Sequence, residues 1–439
     1  MKSVAFRTLG CKLNFSETST IARTFTDRGY KKVNFEDGAD IYVINTCTVT
    51  DNADKKCRKI IRDAQKYSEN PFVIIVGCYA QLKPVEISGI QGVNLVLGAN
   101  EKFKLLDYLD DLEINGSSKV FVEKIDETNE FHHSYSLNDR TRTFLKIQDG
   151  CDYSCTFCTI PLARGKSRSD TIEHVVKSAI EIAEKGVKEI VLTGVNTGDF
   201  GIHLGERQDR FIDLIRKLDE VDGIKRFRIS SVEPNLLTDE IIDFTAASEK
   251  FVPHFHIPLQ SGSDKILKLM RRRYLRELYK DRISKINTTI PDCGIGVDVI
   301  VGFPGERRQD FLDSYQFIND LDISYLHVFT YSERANTPAI EMEGRISSGE
   351  RQERSGMLRS LSLKKKRHFY QQRLGTIKEV LFENDFAEGR IHGFTGNYIR
   401  VGVPSDPQLI NQLVKVKLTG INEQGIVEGE LVTEYARQF

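Results

Sequence analysis

Between residues 4 and 330, short apolar runs alternate with longer helix-patterned stretches, and this alternation restricts the chain to α/β architectures built on parallel sheets. Strand-like segments at 4–8, 41–45, 72–77 and 94–97 are separated by helical patterns such as 16–28 and 51–67. Helices that cross between parallel strands cover the sheet faces and leave loops at the carboxyl edge, where such folds bind ligands. A second series follows, with strands near 144–148, 189–193, 227–230, 254–258, 296–300 and 326–330. Six such units make a partial (β/α)6 barrel, two short of a closed eight-unit barrel, with its chemistry again expected beyond the carboxyl ends. The polar, acidic stretch 113–139 between the two series has the composition of a linker.

Beyond the second series the pattern changes to period-two stretches at 376–382, 398–403, 414–418 and 426–432, punctuated by glycine. These predict a small antiparallel β-barrel of the OB-like kind often used on nucleic acid. The expected division is 1–115, 137–368 and 371–438. The chain contains no charge-free apolar run long enough to span a bilayer and no signal-peptide pattern, so a cytoplasmic protein without membrane association is expected.

The net charge of −1 gives no global argument for a polyanionic partner. Local basic runs exist: 350–373 carries a net +6, and Arg271, Arg272, Arg273 and Arg276 form a second run. Each is equally consistent with a solvated helix face. The segment 370–439 is weakly acidic, with seven basic and nine acidic residues, which argues against a purely electrostatic RNA-binding role for the final barrel.

Eight cysteines in a chain expected to meet a reducing environment point to metal or catalysis ahead of disulfides. The run Cys151-Asp-Tyr-Ser-Cys155-Thr-Phe-Cys158 lies just after the first barrel strand. Three thiolates can hold three irons of a cubane cluster and leave the fourth open, whereas structural zinc needs four ligands and no histidine lies in that loop. Cys11, Cys47 and Cys78 each follow a predicted strand of the first sheet by one to three residues, so the carboxyl edge can gather them. Gly10 and Gly77 fit the tight turns that such an approach requires. Cys57 shares a helical face with Ala53, Ile60, Ile61 and Ala64 and reads as core, and Cys293 receives no role.

Placed at the end of the first barrel strand, Cys151–Cys158 resembles the signature of radical S-adenosylmethionine enzymes. Thr8-Leu-Gly-Cys-Lys-Leu-Asn14, Asn45-Thr-Cys-Thr-Val-Thr-Asp-Asn-Ala-Asp54, Gly77-Cys-Tyr-Ala-Gln81, Lys146-Ile-Gln-Asp-Gly-Cys151, Thr159-Ile-Pro-Leu-Ala-Arg-Gly165 and Gly296-Val-Asp-Val-Ile-Val-Gly-Phe-Pro-Gly-Glu306 together resemble the methylthiotransferase family within that group. The closing β-barrel is similar to the TRAM domain of these enzymes. The wording is most similar to the branch acting on threonylcarbamoyladenosine just 3′ of a tRNA anticodon. Other branches act on isopentenyladenosine or on an aspartate of a ribosomal protein.

The resemblance implies two [4Fe-4S] clusters, one on Cys151, Cys155 and Cys158 and an auxiliary one on Cys11, Cys47 and Cys78, with S-adenosylmethionine on the open iron of the first. It also implies a tRNA anticodon loop as substrate and an electron-donor protein such as a flavodoxin or ferredoxin. Phe157 corresponds to the aromatic that borders the cofactor. Thr193, Gly194, Ser231, Gln260 and Gly302 are candidate cofactor contacts by their places at strand ends. Arg164, Lys166 and Arg168 are candidate phosphate holders. The rival reading from another class is a metal- or cluster-containing RNA-binding protein without methylthiolation.

Overall fold

The computed structural model describes all residues except 48–50, 111–117, 126–129, 138–139, 204 and 433–439, and the side chains of 51–54. Part of the Asn45–Asp54 motif therefore lies outside the described residues. Six parallel strands open the chain: β1 (Ser3–Thr8), β2 (Lys31–Val33), β3 (Ile41–Thr46), β4 (Phe72–Gly77), β5 (Leu95–Leu97) and β6 (Lys119–Phe121), in the order β2-β1-β3-β4-β5-β6. The runs Ile-Tyr-Val-Ile and Val-Ile-Ile-Val are continuously apolar because both faces of these central strands are covered. The helix Lys12–Asp27 packs Ile21 and Phe25 on one face, and Asp51–Tyr67 packs Cys57, Ile61 and Ala64 on the other. The strand order reverses between β1 and β3, which opens a crevice at their carboxyl ends.

The second region begins with β7 (Ser134–Tyr135), an antiparallel edge on β8 (Thr143–Lys146). Two short ribbons decorate it, β9 (Gln148–Asp149) with β10 (Arg168–Ser169), and β12 (Ile202–His203) with β13 (Glu206–Arg207). The barrel strands are β8, β11 (Glu189–Thr193), β14 (Arg226–Ile229), β15 (His254–His256), β16 (Gly294–Val301) and β17 (Tyr325–Thr330). They follow one another in chain order, with β14 joined to β15 through the parallel bridges Phe227↔Phe251 and Ser231↔His256. Leu145, Ile190, Leu192, Phe227, Ile229, Phe255, Val297 and Val299 face the outer helices in one apolar core. The alternate positions Lys146, Glu189, Arg228, His256, Asp298 and His327 give the inside of the partial barrel a charged lining.

Strands β18 (Ile377–Ala387), β19 (Arg390–Thr395), β20 (Arg400–Pro404), β21 (Leu413–Ile421) and β22 (Val427–Leu431) close in the order β18-β19-β20-β22-β21. Every pair is antiparallel except β20–β22, so the expected antiparallel barrel has one parallel seam. The helix Ser348–Gln371 ties the two barrels, burying Leu358 and Leu361 in the first core and Phe369 and Tyr370 in the second. Stretch 113–139, expected as a linker, contributes β6 to the first sheet and β7 to the second. Among the described residues no helix is long and apolar enough to cross a membrane.

Candidate cluster-binding site

The three amino-terminal cysteines leave neighbouring strands at one edge. Cys11 is the N-cap of Lys12–Asp27 beyond β1, Cys47 directly follows β3, and Cys78 opens the helix Cys78–Leu82 beyond β4. The register pairs Thr8 with Asn45 and Thr46 with Gly77, so the strands end level. Asn14 Nδ2 donates to Leu9 O at 2.8 Å and Thr46 O at 3.0 Å, tying the Cys11 turn to the Cys47 turn. Gly10 has φ +102°, and a Cβ there would stand 2.6 Å from Cys47 Cβ and 3.0 Å from its Sγ. Only glycine permits that approach. Burial pushes the Cys78 thiol up, against the opposing pull of Arg164.

The other trio sits on the loop beyond β8. Thr156 anchors this loop, its N–H donating to Met270 O at 3.2 Å and its hydroxyl to Leu269 O at 2.9 Å. Each sulfur receives one donor: Tyr153 N to Cys151 Sγ at 3.4 Å, Ile160 N to Cys158 Sγ at 3.4 Å, and Arg272 Nη1 to Cys155 Sγ at 3.1 Å. Burial pushes the thiols of Cys151 and Cys158 up to about 12, so each stays protonated until a metal displaces the proton.

The sets of three metal-ligating side chains with donor atoms all within 4.8 Å, among the described residues, are His133, Asp170, His174 and His256, Asp298, His327. Neither contains a cysteine. In neither cysteine trio, therefore, do all three sulfurs lie within 4.8 Å of one another, as they would around one tetrahedral ion with bonds of about 2.3 Å. Three soft donors in each trio, with N–H groups aimed at the sulfurs of Cys151, Cys155 and Cys158, suit a multi-iron core.

The candidate cofactor contacts occupy the same end of the barrel. Phe157 packs edge-on to Phe303, ring centroids 6.3 Å apart, beside Ile266 and Met270. The Thr193 hydroxyl is spent on Leu145 O at 3.0 Å, and a Cβ on Gly194 would meet Gln148 Oε1 at 2.9 Å. Ser231 O accepts from Thr197 N at 3.0 Å and Thr197 Oγ1 at 2.8 Å. Gln260, at φ 65°, inserts its backbone between Asp298 O and Ile300 N. Gly302, at φ +75°, has Arg351 Cγ 2.4 Å from where its Cβ would lie, so it offers a ligand only backbone.

Two functional-looking groups escaped the sequence, and a third was not told apart from its neighbours. Asn196 Nδ2 is buried without a partner among the described residues, beside the end of β11, where a polar ligand would complete it. Glu233 is paired with Arg272 just past β14, burial raising its carboxyl while Arg272 opposes. Arg272 itself came from the run of arginines, but nothing local in sequence distinguishes it from Arg271 and Arg273.

A buried ionic lattice joins the two trios. Glu17 bonds Lys102 at 2.7 Å and Lys146 and Arg164 at 3.1 Å each, while Asp149 bonds Lys146 at 2.6 Å and Arg164 at 2.9 Å. Arg164, six residues past Cys158, also lies in electrostatic reach of Cys11 and Cys78. Burial pushes the Glu17 carboxyl up, but Arg164, Lys102 and Lys146 outweigh it and hold it well below the usual range. This corrects the phosphate-holding expectation for Arg164 and Arg168. Both guanidiniums are buried, Arg168 donating to Glu130 O at 2.9 Å and Arg164 O at 2.7 Å, and only Lys166 is exposed.

Residues 3–98 match the family described as uncharacterized protein family UPF0004, and residues 145–318 match the radical SAM superfamily. The threonylcarbamoyladenosine tRNA methylthiotransferase MtaB of Bacillus subtilis strain 168 is 42% identical over 95% of this chain and 94% of its own. The chain belongs to the MtaB methylthiotransferase family. A tRNA-2-methylthio-N(6)-dimethylallyladenosine synthase of Alkaliphilus oremlandii is 31% identical to this MtaB-family chain, over 99% of it and 93% of its own length. Among solved structures, the radical S-adenosylmethionine methyltransferase TsrM of Kitasatospora setae shares the MtaB-family fold with a TM-score of 0.56 at 14% identity, covering 77% of each chain.

Proposed function

We propose that the protein adds a methylthio group to carbon 2 of N6-threonylcarbamoyladenosine, just 3′ of a tRNA anticodon, by radical S-adenosylmethionine chemistry. The observation that carries this reading is the pair of cysteine trios at the carboxyl edges of two adjoining sheets, tied by Arg164. Cys151, Cys155 and Cys158 would hold one [4Fe-4S] cluster with an open iron for S-adenosylmethionine, and Cys11, Cys47 and Cys78 the auxiliary cluster. When bound, these groups supply a 5′-deoxyadenosyl radical and the sulfur to be transferred, since no side-chain base removes an aromatic C–H proton near neutral pH.

The chain's own part is positional. Tyr153 N, Ile160 N and Arg272 stabilise charge on the three sulfurs. Phe157, Thr193, Gly194, Ser231, Gln260 and Gly302 are assigned to the cofactor, with Asn196 Nδ2 as a further donor. We assign 1–115 together with β6 as the auxiliary-cluster unit, 137–368 together with β7 as the radical barrel and 371–438 as a TRAM domain that helps hold the RNA. A flavodoxin or ferredoxin would deliver electrons, in the cytoplasm.

Anaerobic reconstitution should load about eight irons per chain, and Ala at either trio should leave about four. Reduction with S-adenosylmethionine should yield 5′-deoxyadenosine, and Cys155→Ala should abolish it. Nucleoside mass spectrometry of tRNA from a deletion strain should show loss of the methylthio form of threonylcarbamoyladenosine. Loss of the methylthio form of isopentenyladenosine instead would move the substrate to that nucleoside, and unchanged levels of both would reject the tRNA assignment and leave the ribosomal-protein reading, with which the weakly acidic final barrel is compatible.

A further inference from the structure

Inside the partial barrel, among the described residues, one cation is left over after the carboxylates are assigned. Glu189 is taken by Arg228 at 2.8 Å, with Arg142 and Arg226 at 3.9 Å. Arg142 and Arg226 are further held by Glu383 at 2.8 Å and Glu379 at 3.1 Å. Asp298 accepts from His256 Nε2 at 2.8 Å, and Glu233 is held by Arg272.

Lys12 has none of these. It opens the helix Lys12–Asp27 beside Cys11 and lies among Arg142, Arg228 and Asp298, yet it makes no hydrogen bond or ion pair with any described residue. Two imidazoles share the chamber, His256 and His327, with ring centroids 5.4 Å apart. The floor below is closed by His254, Tyr325 and Tyr398, whose rings pack together and where Gly294 meets Asn397 O of the final barrel. A ligand therefore enters from the side of the two cysteine trios.

A partly buried ammonium beside two guanidiniums and left unpaired is unfavourable, and an incoming anion would relieve that. The threonylcarbamoyl group ends in a carboxylate and a hydroxyl, whereas an isopentenyl group offers neither. We propose that Lys12, flanked by His256 and His327, receives the carboxylate of the N6 substituent, and that this contact selects threonylcarbamoyladenosine over adenosines bearing uncharged substituents. The inference rests on the function proposed above.

The test is fluorescence anisotropy with anaerobically reconstituted protein, without S-adenosylmethionine. Three anticodon stem-loop RNAs are compared, carrying threonylcarbamoyladenosine, isopentenyladenosine or adenosine at the target position. The wild type should prefer the first by about tenfold or more, Lys12→Met should reduce the preference to about twofold, and Lys12→Arg should retain most of it. Equal weakening of all three RNAs by Lys12→Met would assign Lys12 to phosphate and overturn the proposal, as would an undiminished preference. Iron content per chain monitors Cys11. Should Lys12→Met lose iron, His327→Leu carries the same test, since its side chain is exposed and it stands on β17, apart from the turns that bear the cysteines. Selective weakening of the threonylcarbamoyl RNA supports the proposal, and uniform or absent weakening sinks it. A wild type with no preference, together with unchanged tRNA nucleosides in the deletion strain, would instead retire the functional reading itself.

Discussion

Replacing Glu17 with Gln tests whether the buried lattice is an electrostatic unit or merely well-packed polar volume. The amide keeps the shape and removes the charge. Lys146 and Arg164 retain Asp149 at 2.6 and 2.9 Å, but Lys102 loses its only ion pair among the described residues, the 2.7 Å contact with Glu17, at a fully buried site. Removing one partner of a buried pair costs about 3–5 kcal/mol, because the surviving charge stays desolvated. Urea unfolding of Glu17→Gln, followed by far-ultraviolet circular dichroism, should show a loss of that size. Adding Lys102→Met should restore part of it, giving a coupling energy of about 1–3 kcal/mol. The pH dependence has a definite sign. The folded carboxyl lies well below its unfolded value, so the unfolded chain binds the extra proton, and the stability is complete above about pH 5 and declines as pH falls. Glu17→Gln should flatten that decline. A loss below about 1 kcal/mol, or strictly additive effects of the two substitutions, would refute the reasoning.

Arg272→Met removes a cationic donor from Cys155 Sγ and strands Glu233, so a potentiometric titration followed by electron paramagnetic resonance should show a more negative midpoint for the barrel cluster. Gly302→Ala forces a Cβ to within 2.4 Å of Arg351 Cγ at φ +75°, and thermal unfolding should show a loss of about 2 kcal/mol or more. Gly356→Ala, in the middle of the helix Ser348–Gln371 with nothing within 4 Å of the new methyl, should instead stabilise by about 0.5–1 kcal/mol in the same assay. His254 is held neutral by burial and then by Arg228, so stability should fall as pH drops below about 6.5, and His254→Phe should lessen that fall.

The parts of the fold most legible in sequence were those with strong periodicity. β3 and β4 are apolar on both faces, and the barrel strands repeat at helix-length intervals, so their places were readable directly. β2, β6, β7 and β19 were not: Lys-Lys-Val and Lys-Val-Phe are too short to show a period, and their strand state comes from pairing with neighbours. The edge placement of Cys11, Cys47 and Cys78 followed from parallel topology alone. What sequence concealed was charge pairing across long separations. Arg164 and Glu17 are 147 residues apart, and no local pattern tells a guanidinium that meets a carboxylate from one that meets water. Lys12 was hidden for the same reason, since its isolation exists only once the barrel is assembled.

The lattice around Glu17 and Arg164 has a mechanical consequence. The loop bearing one cysteine trio is anchored through buried ion pairs to the sheet bearing the other, so the gap between the two sets of sulfurs is set by the folded body and not by a tether. Under the proposed function the target nucleobase would then meet a rigid seat, and its adjustment would come from rotation of the RNA about its own backbone.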